Sequence, residues 1–308
     1  MLNLVRVVWA ALMAFYYYVF IKDYKAVKAA GQLDEVSIPK VSITGAITNF
    51  FDTLGIGSFA PTVAFNKFLK MGVRDKDLPG LLNVGDTLPV MLEAVIFTTV
   101  IKVEPITLVT MLAASAIGSW LGAGIISKMD EVKIQKVMGV ALFVTGVLMA
   151  LSALGYMPGG GKEIGLTGIK LVIGIVGNFI FGALMTAGIG LYAPCMALVY
   201  FLGMSPAVAF PIMMGSCASL MPVCSIKFIK EGAYPRKASL LLGLSGAIGV
   251  FIAAYIVKSL PLDVLRWLVI VVIFYTSVSM LVSSNKSKKS QVDAQLESVK
   301  NEDNENWC

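Results

Sequence analysis

The chain of 308 residues is 57% apolar and only 14% charged, and its mean hydropathy is +0.81. A soluble core cannot bury that much apolar surface, so the composition predicts an all-α polytopic membrane protein and excludes an ordinary soluble domain. The excess of 25 Lys and Arg over 19 Asp and Glu is mild and indicates no nucleic-acid partner.

The sequence contains no histidine, which removes the commonest metal ligand, general base and proton shuttle. Its four cysteines have neither metal-ligand spacing nor the pattern of a disulfide framework; they are Cys195, Cys217, Cys224 and Cys308. We therefore expect no cofactor and no bound metal.

The predicted elements begin with an uncleaved membrane span at residues 4–21, because this stretch lacks the small-residue cleavage site of a signal peptide. A polar linker with four lysines completes an N-terminal segment at residues 1–40. A broken apolar stretch at about 41–66 then opens the first repeat, residues 41–154. Three unbroken spans complete this repeat, at about 78–101, 104–127 and 134–154.

A Gly-rich linker at residues 155–168 separates the first repeat from the second, residues 169–283. The second repeat has a broken stretch at about 169–202, followed by spans at about 206–228, 238–257 and 262–283. The polar and charged tail at 284–308 is predicted to be disordered.

Two short strings organise the repeats, GIGSFAP at 55–61 and GIGLYAP at 188–194. Each Gly-Ile-Gly permits unusual backbone torsions, and the following Pro suits the first turn of a new helix. The match continues downstream at offsets of 130 and 131, as Gly85/Gly215, Pro105/Pro235 and Gly118/Gly249. Each string predicts a helix, a break and a second helix. Two such breaks in corresponding halves of a membrane protein point to a transport site.

The broken stretches either cross the membrane or turn back at the glycines. Re-entrant hairpins leave an odd number of crossings, three, in each repeat, so the second repeat is then inverted. With Lys300 in the distal tail left out of the count, the hairpins place 18 Lys and Arg on the cytoplasmic side and 6 outside, whereas crossing stretches place 14 and 10. We therefore predict two inverted repeats, each a re-entrant helical hairpin plus three transmembrane helices. One extra N-terminal helix precedes them, and the C-terminus is cytoplasmic.

The helices that restart after the two breaks present free N–H groups and the positive end of the helix dipole near the bilayer centre. Together they form a candidate anion site that needs no buried Lys or Arg. The alternative is that the glycines only let the helices pack closely against their neighbours. The candidate substrate-binding residues are Thr53, Gly55, Gly57, Ser58, Thr186, Gly188, Gly190, Leu191, Ser216 and Cys217.

Acidic residues at membrane depth are a second signal, because a carboxylate is costly in lipid and usually faces an interior path. Asp86 and Glu93 lie seven residues apart on one helical face that also carries Asn83, and Asp52 precedes the first Gly-Ile-Gly. These three acids are candidates for proton coupling. The alternative is that they only cap helices or hydrogen-bond to neighbours. Their counterparts in the second repeat are Met185, Ser216 and Val223, so the acidic character belongs to one half.

With these motifs the chain resembles the sulfite exporter TauE/SafE family of membrane permeases over about residues 41–283. The resemblance rests on the Gly and Pro residues of the two strings, and on Gly85 and Gly215 in the next spans. Relatives often have three consecutive glycines where this chain has GIGSFAP. The resemblance implies secondary transport, often export, of small anions such as sulfite and organosulfonates across the cell (plasma or inner) membrane.

Two other function classes stay open, an anion channel and a membrane scaffold whose repeats serve assembly. An enzyme is not expected, because no metal cluster or nucleophile–base pair is visible in the sequence. The expected partners are the small anion and the lipid bilayer, and homodimer formation is left open.

Overall fold

A computed structural model describes residues 2–97, 103–156, 161–256 and 262–305 of the chain. Within these ranges the fold is built from eleven α-helices. In chain order they are α1 (Leu2–Ala29), α2 (Ile38–Thr53), α3 (Phe59–Leu69), α4 (Leu78–Phe97), α5 (Pro105–Ile126), α6 (Glu131–Ala153), α7 (Gly168–Met185), α8 (Tyr192–Phe201), α9 (Pro206–Lys230), α10 (Arg236–Phe251) and α11 (Leu262–Glu305).

Eight helical segments in the described ranges are long and apolar enough to cross a membrane; they lie in α1, α4, α5, α6, α7, α9, α10 and α11. The multi-pass membrane class predicted from composition is therefore confirmed. Helix α7 meets this length criterion with 18 residues. Length alone therefore does not separate a crossing helix from the arm of a hairpin in the second repeat.

The first Gly-Ile-Gly separates α2 from α3, with Gly55 at φ +82° and Gly57 at φ +96°. Because L residues rarely adopt these torsions, glycine is what allows the chain to reverse here. The two helices lie side by side: Thr62 Oγ1 is 3.1 Å from Thr48 Oγ1. At their far ends, the N–H of Ser37 donates to the carbonyl of Met71 at 3.2 Å. We call α2 and α3 the first helix pair.

The second Gly-Ile-Gly separates α7 from α8 in the same way, and here Gly188 has φ +97°. The start of α7 lies against the end of α8, because Lys170 Nζ donates to the carbonyl of Leu202 at 3.2 Å. A Cβ on Gly177 of α7 would contact Leu198 of α8. We call α7 and α8 the second helix pair.

Contacts between loops define two ends of the molecule. At one end, Asp34 accepts the N–H groups of Lys237 and Ala238. At the same end, Gln135 donates to Asp75 at 2.9 Å. The loops joined in this way, and the segments beside them, carry Lys or Arg at 28, 40, 67, 70, 74, 76, 128, 133, 136, 227, 230, 236 and 237. We call this the basic end.

The opposite end joins the start of α5 to the loops on either side of the second helix pair. Glu104 N–H donates to the carbonyl of Ile164, and Gly161 N–H to that of Met204, both at 2.8 Å. The Glu104 side chain accepts the N–H groups of Thr107 and Ile106, and these hydrogen bonds lower the pKa of its carboxyl. The ends of the first helix pair therefore lie at the basic end and those of the second at the opposite end.

Packing between the helices recurs at equivalent positions of the two halves. A Cβ on Gly118 of α5 would collide with the carbonyl oxygen of Phe179 in α7. A Cβ on its counterpart, Gly249 of α10, would collide with the carbonyl oxygen of Ala46 in α2. Phe179 and Ala46 are 133 residues apart, the offset of the two Gly-Ile-Gly strings. Each helix pair therefore packs against a helix of the other half.

Helix α1 lies outside this repeated arrangement and bonds to both halves. Trp9 Nε1 donates to Ser219 of α9 at 2.9 Å, and Tyr16 Oη donates to the carbonyl of Val84 in α4 at 2.8 Å. Near its end, Asp23 accepts hydrogen bonds from Tyr234 and Arg236. Helix α1 therefore forms hydrogen bonds with both α4 and α9.

Two segments differ from the expectation drawn from the sequence. The predicted linker at 22–40 is helical up to Ala29, because Asp23 is held by Tyr234 and Arg236 and the surrounding residues favour helix. Helix α11 continues to Glu305, into the tail for which we predict disorder, and that part of the chain is rich in good helix formers such as Lys, Gln and Glu. Residues 306–308, including Cys308, lie outside the described residues.

Candidate functional site

A cavity of about 110 Å³ lies where the two helix pairs meet. Both breaks contribute to its wall, together with residues of α4, α6, α9 and α11. The residues that line it are Asp52, Gly55, Ile56, Gly57, Ser58, Phe59, Ala60, Val90, Thr145, Met149, Ser152, Met185, Gly190, Leu191, Tyr192, Ala193, Met196, Cys217 and Ile273.

The first turns of α3 and α8 both face this cavity. Helix α3 starts at Phe59 after Ser58, and α8 starts at Tyr192 after Leu191. The N–H groups of a first helical turn have no partner within their own helix, and they carry the positive end of the dipole. The first turns of both halves therefore bring such N–H groups to the wall of one cavity.

Glycine keeps the cavity open at three positions. A Cβ added to Gly55, Gly57 or Gly190 would meet no other atom within 4 Å. Gly55 and Gly57 also need glycine for their positive φ, whereas Gly190 does not have a positive φ. Gly190 is therefore equivalent to Gly57 in the sequence but not in backbone conformation.

A hydrogen-bonded group of acids occupies the side of the cavity formed by the first repeat. Ser58 Oγ lies 3.2 Å from Oδ2 of Asp52 and 3.2 Å from Oδ2 of Asp86. Both carboxyl groups are buried, Asp86 completely. A hydroxyl carries one hydrogen, so Ser58 can donate to only one of the two carboxyl groups at a time. A single proton on the other carboxyl completes both hydrogen bonds.

An asparagine from the first helix of each pair reaches the span that follows the pair. Asn49 Nδ2 donates to Asp86 Oδ1 at 2.9 Å. Asn178 Nδ2 donates to Ser216 Oγ at 2.7 Å. Asp86 and Ser216 are counterparts at an offset of 130. Each half therefore bonds an asparagine to this position, although the two asparagines are 129 residues apart and so lie one helical turn away from equivalence, and the acceptor is ionisable in the first half only.

Glu93 joins the two helix pairs. It accepts a hydrogen bond from Thr53 Oγ1 at 2.8 Å and another from Tyr192 Oη at 2.9 Å. Thr53 belongs to the first helix pair, and Tyr192 is the first residue of α8 in the second. Because Tyr192 also lines the cavity, a ligand in the cavity lies next to the group that holds Glu93.

The cavity wall, over the residues that the structure describes, carries an acidic side chain and no basic one. Among the described residues that line it, Asp52 is the one Asp or Glu, and none is Lys or Arg. An anion placed beside an ionised Asp52 in a site of low dielectric is strongly disfavoured. The same carboxyl, once protonated, is neutral and becomes a hydrogen-bond donor.

Other candidate residues from the sequence lie away from the cavity wall. Thr186 donates to the carbonyl of Ala183 in its own helix, Gly188 packs against Met138, and Ser216 accepts from Asn178. Thr53, Asp86 and Glu93 lie behind the wall, in the hydrogen-bonded group already described. Asp52, Gly55, Gly57, Ser58, Gly190, Leu191 and Cys217 line the cavity.

Sequence reasoning missed Tyr192 and the contribution of α6. Tyr192 follows the second Gly-Ile-Gly, but an aromatic residue in an apolar string usually belongs to the core. Thr145, Met149 and Ser152 of α6 all line the cavity. Their spacing of four and three residues places them on one helical face. This shared face is the sequence pattern from which their common position could have been predicted.

These features define a polytopic helical membrane protein with an internal cavity at the ends of two broken helices. The family model described as Sulfite exporter TauE/SafE matches residues 170–306, somewhat less than half of the chain and almost all of the second repeat. Over the second repeat, this match confirms the resemblance that the sequence motifs suggest. The description of that family names sulfite export, which is a membrane transport function. No curated protein and no solved structure matches the chain.

Proposed function

We propose that the protein is a secondary transporter that exports a small anion such as sulfite or an organosulfonate, and that the cavity is its substrate site. The observation that carries this proposal is that the first turns of α3 and α8 line one cavity. Backbone N–H groups and helix dipoles supply the attraction that an anion needs in the absence of a lining Lys or Arg.

In this proposal both helix pairs are re-entrant hairpins, and the two repeats have inverted orientation. Support comes from the hydrogen bond between Ser37 and Met71, which brings the two ends of the first pair together at the basic end. The contact between Lys170 and Leu202 does the same for the second pair at the opposite end. By the positive-inside rule, the basic end and the C-terminus are cytoplasmic.

Protons take part in this transport through Asp52 and Asp86, with Glu93 next to them. The anion must not face an ionised Asp52, so the loaded site holds a proton together with the anion. The net direction then follows the sum of the anion and proton gradients, and export results when the outward anion gradient exceeds the inward proton gradient.

Counterflow in proteoliposomes tests the transport proposal. Vesicles loaded with unlabelled sulfite should take up labelled sulfite transiently, and the rate should saturate with concentration. Flux that rises linearly with concentration would indicate a channel. Absence of flux for sulfite and for short organosulfonates, from a protein that is folded and inserted, would favour the scaffold.

A further inference from the structure

Helix α6 contributes more residues to the wall of the cavity than its counterpart α11 does. Thr145, Met149 and Ser152 of α6 line it, and Ser152 lies one residue before the end of that helix, at the end of the molecule opposite the basic end. At 1.5 Å per residue, the seven residues from Thr145 to Ser152 carry the lining about 10 Å along the helix. The cavity therefore extends from the two breaks toward the opposite end.

The same three residue types recur on α11. Thr145, Met149 and Ser152 correspond to Thr276, Met280 and Ser283 at an offset of 131. This offset also relates Gly118 to Gly249 and the first residues of α6 and α11. The hydroxyl groups even behave alike, because Thr145 donates to the carbonyl of Ala141 and Thr276 to that of Val272, its counterpart.

Two of the three α11 residues are more deeply buried than their α6 counterparts, whereas Ser283 is half-buried, as Ser152 is. Thr276 and Met280 are 1% and 0% exposed, whereas Thr145 and Met149 are 9% and 8% exposed. None of the three α11 residues lines the cavity.

The second helices of the two pairs, α8 and α3, also differ in whether they line the cavity. Met196 of α8 is half-buried and lines the cavity. Its counterpart in α3, Val63, is completely buried and does not.

A lysine closes the contact between α3 and α11 at the basic end. Lys67 Nζ donates to Ser279 Oγ at 3.3 Å and to Ser283 Oγ at 3.4 Å, and it lies 3.9 Å from Asp75 Oδ2. Next to it, the rings of Phe68 and Tyr275 stack with their centroids 5.3 Å apart. On the other side of the repeat, Met196 of α8 and Ser152 of α6, the counterpart of Ser283, both line the cavity.

We propose that Thr276, Met280 and Ser283 line a second substrate route, which leads to the basic end and is closed in this structure by Lys67. The open route along Thr145, Met149 and Ser152 is its counterpart in the other repeat. The anion passes from one route to the other when the two halves exchange their conformations. The inference rests on the proposed transport function and adds the residues of both routes and the group that closes one of them.

Cysteine labelling tests the two routes without any transported substrate. Ser152→Cys and Ser283→Cys are placed separately in a chain that lacks its native cysteines, and an impermeant thiol reagent is added from each side of the membrane. We expect Ser152→Cys to react from the side opposite the basic end. We expect Ser283→Cys to react slowly from the basic side, and at least tenfold faster once Lys67→Ala is added.

Val147→Cys and Val278→Cys are the matched controls, because they are exposed counterparts at the same offset of 131 on the outer faces of α6 and α11. Because these positions face the lipid, their labelling should stay at background with and without Lys67→Ala. Reaction of Ser152→Cys from the basic side would overturn the inference. So would unchanged labelling of Ser283→Cys in the Lys67→Ala protein.

Cross-linking tests whether the closed route must open. A short thiol-specific linker between Phe68→Cys and Tyr275→Cys should reduce sulfite counterflow at least tenfold, and reduction of the linker should restore it. The control is Phe143→Cys with Phe274→Cys, a ring pair at 5.5 Å that joins α6 to α11, and its linkage should leave the flux intact. Full flux with the Phe68–Tyr275 link closed would refute the second route. A parent protein without flux would instead remove the proposed function and leave the labelling result to decide the routes.

Discussion

The pH dependence of anion binding is the sharpest consequence of the Asp52–Ser58–Asp86 arrangement. Ser58 lies 3.2 Å from both carboxyl groups. Because its hydroxyl donates to one of them, one proton on the other carboxyl completes the second hydrogen bond. If the anion binds only to the protonated pair, linkage fixes the slope at one proton per anion. Over the range in which the unloaded pair releases its proton, the Kd should then rise tenfold for each pH unit. Two pH units correspond to a hundredfold weaker binding, or about 2.7 kcal/mol.

The assay is isothermal titration of the purified protein with methanesulfonate, which stays ionised throughout the pH range. Asp52→Asn should bind with a Kd that no longer depends on pH, because the side chain beside the anion is then always neutral. Ser216→Ala, at the counterpart of Asp86, should keep the slope of the unmodified protein. A Kd that is independent of pH in the unmodified protein would refute the reasoning, as would a full slope that survives in the double variant Asp52→Asn/Asp86→Asn.

Three further predictions concern the glycines and the topology. Gly57→Val should abolish methanesulfonate binding and leave the protein folded, because Val disfavours φ +96° and fills space that is open in the cavity. Calorimetric titration measures the binding, and a thermal unfolding curve shows whether the protein is folded. Unchanged binding would mean that the anion site lies elsewhere. Gly118→Ala should destabilise the fold by about 1–3 kcal/mol, because its Cβ collides with a backbone carbonyl. Gly124→Ala should be neutral, because its Cβ would meet only Lys227 Cε at 3.5 Å; equal unfolding temperatures for the two variants would contradict the packing. A single cysteine at Arg74 should be protected from an impermeant thiol reagent outside the cell, and one at Lys162 should be labelled. The reverse pattern would favour the alternative topology, in which both broken stretches cross the membrane.

The sequence was sufficient for the helix positions and for the two breaks. The apolar stretches gave most helix ends to within a few residues, since lipid demands long apolar runs and glycine marks where they stop. The helix starts at Phe59 and Tyr192 also follow from the strings, because the proline sits in the first turn in both.

Contacts between distant segments could not be derived in this way. Periodicity placed Asn83, Asp86 and Glu93 on one face, yet Asn83 accepts from Cys224 of α9, while Asp86 and Glu93 face the first helix pair. A helical face spans a wide arc, and only the packed neighbours decide which part of it meets which helix. Tyr192 was missed for the same reason, because its partner Glu93 is 99 residues away in the chain.

The exchange of packing partners between the halves also bears on biogenesis. Helix α2 carries Asn49 and Asp52 into the membrane, but its neighbour α10 is synthesised only after most of the chain has been made. Trp9 likewise has no hydrogen-bond acceptor in Ser219 until the chain is 210 residues longer. The nascent first half must therefore keep polar groups sheltered before their final neighbours exist. Two fragments divided at the Gly-rich linker should accordingly be stable only when they are made together.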